Sequence, residues 1–205
     1  LLLSNACATH KPQYAHDDLI TNQSPNKDID KTFYLIGDAG ALPSNGVSNG
    51  LQAFQNYISD KNTKADYIIF LGDNIYPSGL PDTIEKGRAN AENSLKAQIN
   101  AIKDFKGKTI FIPGNHDFWF ERYRKEAKEL FPLCDKVSIL DNEYTEYLSE
   151  DFIKYRIFGT PYCHQFGNWA FMRSEETLVE KFKAIPENID ILISTTVIEV
   201  GVNVP

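Results

Sequence analysis

Apolar residues along this chain fall into short blocks with two alternating spacings. Residues 32–36, 67–71 and 109–112 are near-continuous β-branched and aromatic runs, closed by Gly37, Gly72 and the Pro113-Gly114 pair. Such runs, bounded by turn residues, predict buried strands. Between them, Leu51, Phe54 and Ile58 recur at helical spacing within 50–59, and Leu95, Ile99 and Ile102 do so within 88–105. Each segment predicts a helix that turns that face inward. Further on, 121–131 predicts a charged helix closed by Pro132, and 137–140, 144–148 and 155–158 predict strands. Ser174 is placed to N-cap a helix whose first turn holds Glu175 and Glu176, where the helix dipole favours carboxylates. That helix runs through Leu178 and Phe182 and stops before Pro186, and 190–194 predicts one more buried strand. Strand alternating with helix predicts an α/β fold.

The two ends break this pattern. Residues 8–30 are polar and lack periodic apolar positions, which predicts a solvated linker. The expected organisation is a leader and linker over 1–30, a domain over 31–194 and an atypical tail over 195–205. The opening Leu1-Leu2-Leu3-Ser4-Asn5-Ala6-Cys7 resembles the end of a secretory signal before a bacterial lipoprotein cysteine, with Ser4 where an aliphatic residue is usual. Two readings stand: a lipid anchor at Cys7 with an extracytoplasmic location, or a plain frayed terminus. The only methionine is Met172, so the expectation is a fragment of a longer product. In an oxidising compartment Cys134 and Cys163 either pair or remain two thiols.

Composition narrows the class without naming it. With 42% hydrophobic and 24% charged residues the chain is of ordinary globular make-up. Its net charge of −7 provides no footprint for nucleic acid, although bound cations reverse the sign locally at a site for anions. No apolar run is long enough to cross a bilayer, which predicts a soluble body.

The candidate chemistry sits where the first three predicted strands end: Gly37-Asp38-Ala39-Gly40, Gly72-Asp73-Asn74-Ile75-Tyr76 and Gly114-Asn115-His116-Asp117. Loops at the carboxyl ends of neighbouring parallel strands gather at one crevice, so Asp38, Asp73 and Asn115 are expected to converge. Gly37, Gly72 and Gly114 are expected to allow the backbone angles and close approach that this convergence needs. Asp38 and Asp73 are hard oxygen ligands, and the neutral Asn115 adds an oxygen without adding charge. One Gly-Asp after a strand is usually a turn; three such loops in order point to a metal site.

That order of motifs resembles the calcineurin-like metallophosphoesterases, over about residues 32–117. The resemblance implies a four-layer αββα sandwich, here incomplete at its C-terminal end, and a phosphate-ester hydrolase holding two metal ions, Fe, Zn or Mn. It implies Asp73 as bridging ligand, Asp38 on the first metal, Asn115 on the second, His116 near the substrate and Asp117 orienting its imidazole. A His usually follows the first Asp by two residues, and here that place is Gly40. Purple acid phosphatases share this departure and use a Tyr after the second motif, which Tyr76 matches. Tyr76 is therefore read either as a phenolate ligand or as a packed aromatic.

Later parts of the family pattern are missing. Thr195 stands where a His is usual, there is no Gly-His-x-His, and the four His are His10, His16, His116 and His164. Residues 157–171 resemble a smaller metallophosphoesterase group, and 190–205 resemble a segment of RecG-type DNA helicases, so the chain reads as a mosaic. No Gly-x-x-x-x-Gly-Lys-Ser/Thr loop supports a helicase. Two functions stay open: a hydrolase of phosphate esters with catalysis weakened by the missing imidazoles, or a non-catalytic remnant that binds metal or phosphate weakly. An unfinished sheet is expected to expose apolar surface.

Overall fold

The computed structural model describes residues 31–42, 48–61, 63–130, 136–148 and 154–194. The leader and linker, Cys7, His10, His16, Cys134, Thr195 and the 195–205 tail lie outside the described residues.

A four-stranded parallel sheet forms first, from β1 (Phe33–Ile36), β2 (Tyr67–Phe70), β3 (Lys108–Phe111) and β4 (Val137–Ile139), in the order β1-β2-β3-β4. The strands are in step: Ile36 pairs with Phe70, Phe70 with Phe111, and Phe111 with Ile139. All four chains therefore leave the sheet along one edge, which delivers the motif loops to a common place. Helices α1 (Asn49–Ile58) and α2 (Arg88–Ile102) are the crossovers between β1, β2 and β3. Ser48 caps α1 by accepting from the Leu51 amide at 3.2 Å.

The pleat divides each buried strand between two cores. Ile68, Phe70 and Phe111 face the helices and pack with Leu51, Phe54, Ile58, Ala101 and Phe105. Phe70 and Phe111 stack at 4.5 Å between centroids. Tyr67, Ile69, Ile110 and Ile112 face the other way, onto Ile157 and Ile193 of a second sheet. That sheet comprises β5 (Glu143–Leu148), β6 (Lys154–Thr160) and β9 (Ile191–Ser194), with β5 antiparallel and β9 parallel to β6. Two short elements not foreseen in the sequence, β7 (Cys163–His164) and β8 (Met172–Arg173), pair in parallel just before α5 (Glu175–Lys183). The fold is thus α/β with parallel pairing in each sheet, and the second sheet covers the first incompletely. Leu35 on β1 remains 62% exposed. No helix among the described residues is long and apolar enough to cross a membrane.

Three local expectations change. The charged helix over 121–131 is instead two short helices, α3 (Phe118–Arg122) and α4 (Arg124–Leu130), broken at Tyr123. The chain enters α3 early because Phe118 and Phe120 pack against Tyr162, Phe171 and Leu178, while Trp119 packs against Ile75, Leu80 and Ala91. Ser174 takes the N-cap position of α5, but its hydroxyl meets Thr177 Oγ1 at 3.2 Å rather than a backbone amide.

Helix α2 turns only part of its predicted face inward: Leu95 and Ile102 are half-buried against the apolar clusters. Ile99 is 53% exposed, and the buried positions are Ala91, Ser94, Gln98 and Ala101. The reason lies in the loops beneath it. Ser94 Oγ donates to the Gly40 carbonyl at 3.1 Å, and Gln98 Nε2 donates to the Asn74 carbonyl at 2.7 Å. Small and amide side chains are needed where a helix must satisfy loop carbonyls rather than fill an apolar gap. Replacing Gln98 by Ala leaves the Asn74 carbonyl without this donor and opens a void, and is expected to cost about 2–4 kcal/mol in denaturant unfolding. Ile99→Ala on the solvent side should stay within about 1 kcal/mol. The reverse ranking would contradict the observed face.

Candidate metal centre

The first three loops meet as the motifs imply, but the glycines share the work differently from the sequence expectation. Gly37 has no atom within 4 Å of a built Cβ and carries no special angle. It is Gly40 that lets the first loop touch the second, since a Cβ there would lie 2.4 Å from the Asn74 backbone. Gly114 does the same for the third loop, where a Cβ would fall 2.3 Å from the Asp73 nitrogen and 2.4 Å from its Oδ1. Gly72 supplies a left-handed turn at φ 102°. Asp38 and Asp73 are themselves left-handed, at φ 54° and 52°. Non-glycine residues adopt that region at a cost, and such strain collects at functional sites.

These turns aim both carboxylates at one phenol. The Tyr76 hydroxyl bonds Asp38 Oδ1 and Asp73 Oδ2, the second at 2.9 Å. Burial raises the Tyr76 pKa well above the ordinary phenol value, and its hydrogen bond to Asp38 and the Asp73 charge push it further the same way. Tyr76 is thus no mere packing aromatic. Its proton holds together two carboxylates that would otherwise repel.

Asp117 fastens the second loop to the third. Its buried Oδ2 accepts from the Gly114 amide at 2.8 Å, the Asn74 side chain at 3.0 Å and the Asn74 amide at 3.3 Å, and Oδ1 accepts from the Ile75 amide at 3.2 Å. Desolvation raises its pKa to about 6, with the Gly114 and Asn74 bonds pulling the other way. The expectation that Asp117 orients His116 is corrected by this geometry. Its carboxylate accepts from Gly114, Asn74 and Ile75, and the imidazole partner is the Pro77 carbonyl, 2.5 Å from Nδ1. A carbonyl only accepts, so Nδ1 carries the proton and Nε2 is the nitrogen left for a ligand. The His116 amide donates to Asp73 Oδ1 at 2.9 Å, and its ring lies 4.4 Å from both Tyr76 and Trp169.

Asn115 is half-buried, and its carbonyl accepts from the Ala170 amide at 2.9 Å. Its side-chain amide has no hydrogen-bond partner among the described residues. His164, on β7, is exposed. Cys163 is a buried free thiol whose pKa is raised by burial, with the Arg173 charge pulling the other way. Asp141, just past β4 on the same sheet edge, is buried and ion-paired through Oδ2 with Arg124 at 2.5 Å, while its buried Oδ1 has no hydrogen-bond partner among the described residues. Neither Cys163 nor Asp141 was marked by a sequence motif. A polar residue just past a strand end was the only available signal.

The donor set can now be tested against the metal pair the motifs imply. Oxygens of Asp38, Asp73 and Tyr76 converge within hydrogen-bond reach, which fits one hard cation in place of the phenol proton. Asp73 and Asn115 remain for a second. Among the described residues no three His, Cys, Asp or Glu side chains gather as a metal cluster. The described donors that converge, Asp38, Asp73 and Tyr76, are of a kind that fits a hard cation.

The calcineurin-like phosphoesterase family profile matches residues 31–195. The chain belongs to this family of metal-dependent phosphoester hydrolases, which typically bind two metal ions. Among solved structures it is similar to the protein of unknown function AQ665 from Aquifex aeolicus, at 16% identity and a TM-score of 0.38, over 79% of this chain and 76% of that one. No curated protein matches.

The Asp117 shift gives a pH test on the chelated protein. The folded-state value, about 6, lies above the unfolded 3.8, so this group's contribution is full below 3.8 and is lost as pH rises through 6. The stability advantage of the native protein over Asp117→Asn should therefore shrink between pH 4 and pH 7.5, by on the order of 2–3 kcal/mol. Urea unfolding at the two pH values measures it; a constant or growing advantage would contradict the assignment.

Proposed function

We propose that this chain hydrolyses phosphate esters at the shared strand-end edge of its first sheet, with Asp38, Asp73 and Tyr76 holding a cation and His116 and Asn115 attending the substrate. The observation that carries this reading is the Tyr76 phenol bonded to both carboxylates across two loops. Fe, Zn or Mn suits these oxygens. When bound, the cation supplies Lewis acidity toward water and the phosphoryl oxygens.

The chain's own residues do the rest. Asn115 offers an uncommitted amide to a phosphoryl oxygen. With Nδ1–H held on the Pro77 carbonyl, the doubly protonated imidazole of His116 gives its Nε2 proton to the leaving oxygen as that oxygen's bond to phosphorus breaks and the water oxygen bonds to phosphorus. The proton shed by the water returns through solvent to the imidazole. Asp117 holds the second and third loops in register while this happens, and acts as a brace rather than a proton carrier. The same reading extends the observed layers of helices, first sheet and second sheet to the four-layer αββα arrangement, with α5 set against the end of the second sheet through the Asn142 side chain and the Lys181 carbonyl at 3.3 Å.

A second reading has its own support. Thr195 stands where the family pattern has a His, which favours a non-catalytic remnant that binds one cation or a phosphate weakly. Hydrolysis of 4-nitrophenyl phosphate with added manganese separates the two. Asp73→Asn should lower turnover by about 100-fold or more, in line with the cost of disturbing a metal shell. His116→Ala should lower it by about 100-fold with cation content retained. Equal rates in the native protein and Asp73→Asn would remove the hydrolase reading and leave the remnant.

A further inference from the structure

The two tryptophans are used differently. Trp119 packs into an apolar cluster with Ile75, Leu80 and Ala91, whereas Trp169 stays 40% exposed with its ring 4.4 Å from His116. One side of the indole packs on His116 and Phe118, at 4.4 and 6.2 Å between ring centroids, while the rest of it stays open to water beside the site.

The position is fixed. A Cβ on Gly167 would lie 3.2 Å from the Trp169 ring, a tight contact that the ring would have to shift to relieve. Ala170, the next residue, is fully buried, and its amide donates to the Asn115 carbonyl at 2.9 Å. Phe171 follows in a left-handed conformation at φ 59°, its amide donating to Glu121 Oε1 at 2.9 Å. The same carboxylate pairs with Arg173 at 2.7 Å. The loop carrying Trp169 is thus bolted to the Asn115 loop, and it also carries Phe166, 44% exposed.

On the hydrolase reading, the group leaving phosphorus departs toward His116, and the surface next beyond His116 is the open indole. We propose that Trp169 is a stacking platform for the alcohol portion of the ester, and that the site prefers phosphate esters whose alcohol portion carries a planar ring, an aryl group or a nucleoside's base, over those of flexible aliphatic alcohols. Stacking on a rigid indole tolerates many ring types because every ring offers a π-face. The preference is therefore for planarity, not for one base or substituent.

This inference rests on the hydrolase reading for its geometry but is tested by binding. Phenyl phosphate and glycerol phosphate are titrated calorimetrically into the native protein loaded with calcium, a hard cation chosen to slow turnover, and into the Trp169→Leu and Trp169→Phe variants loaded in the same way. Phenyl phosphate is expected to bind about fivefold or more tighter than glycerol phosphate. Trp169→Leu should bring that ratio to about one, and Trp169→Phe should keep most of it. An unchanged ratio in Trp169→Leu, or equal loss of both ligands, overturns the platform, as does absence of binding by either ligand. Aryl preference without turnover in the native protein would remove the hydrolase reading alone, and turnover without aryl preference would remove the platform alone.

Discussion

The buried carboxylate of Asp117 is the constraint around which the site is arranged. It accepts amide protons from Asn74, Ile75 and Gly114, residues that lie on two different loops and would otherwise leave buried donors unpaired. Parallel strands in common register bring those loops to the same edge, but register alone leaves loop tips free to splay. One carboxylate bonded to both loops removes that freedom. With Asp117 in place, Gly114 sits against Asp73 at a separation no larger residue permits, and the Asp73 carboxylate is left facing Asp38 and Tyr76.

The electrostatics follow from that enforced proximity. Two carboxylates sharing a phenol hydrogen bond form a local excess of negative charge on a chain that is already acidic. Without a cation, the phenol proton supplies the positive end of the contact. Were a cation bound there, the same oxygens would serve as its ligands in place of the phenol proton. Helix α2 supports this arrangement from below, where Ser94 and Gln98 pair the Gly40 and Asn74 carbonyls. Metal chemistry at the strand ends and an unusually polar buried helix face are two parts of one design.

Much of this was legible in the sequence because strand-loop motifs carry their own signature. An apolar run, a glycine and then a carboxylate marked the first two loops, and Asp38, Asp73, Tyr76, Asn115 and His116 all lie at the predicted edge. What could not be read were effects that exist only after packing. Gly37 looked essential by position, yet the tight contact is made by Gly40, because which loop atom approaches which is a tertiary fact. Part of the α2 face was misjudged because apolar spacing cannot foresee that loop carbonyls need donors there. Asp117 read as a partner for His116 from adjacency in sequence, while the backbone turn sends its carboxylate inward and brings Pro77 to the imidazole.

The central claim is that Asp38, Asp73 and Tyr76 hold one cation that takes the place of the Tyr76 proton. Calorimetric titration of the 205-residue chain with manganese, repeated in buffers of different ionisation enthalpy, measures stoichiometry and proton release together. The account predicts one cation per chain and about one proton released, with the release abolished in Tyr76→Phe. Two cations bound with equal strength, or proton release that persists in Tyr76→Phe, would contradict it.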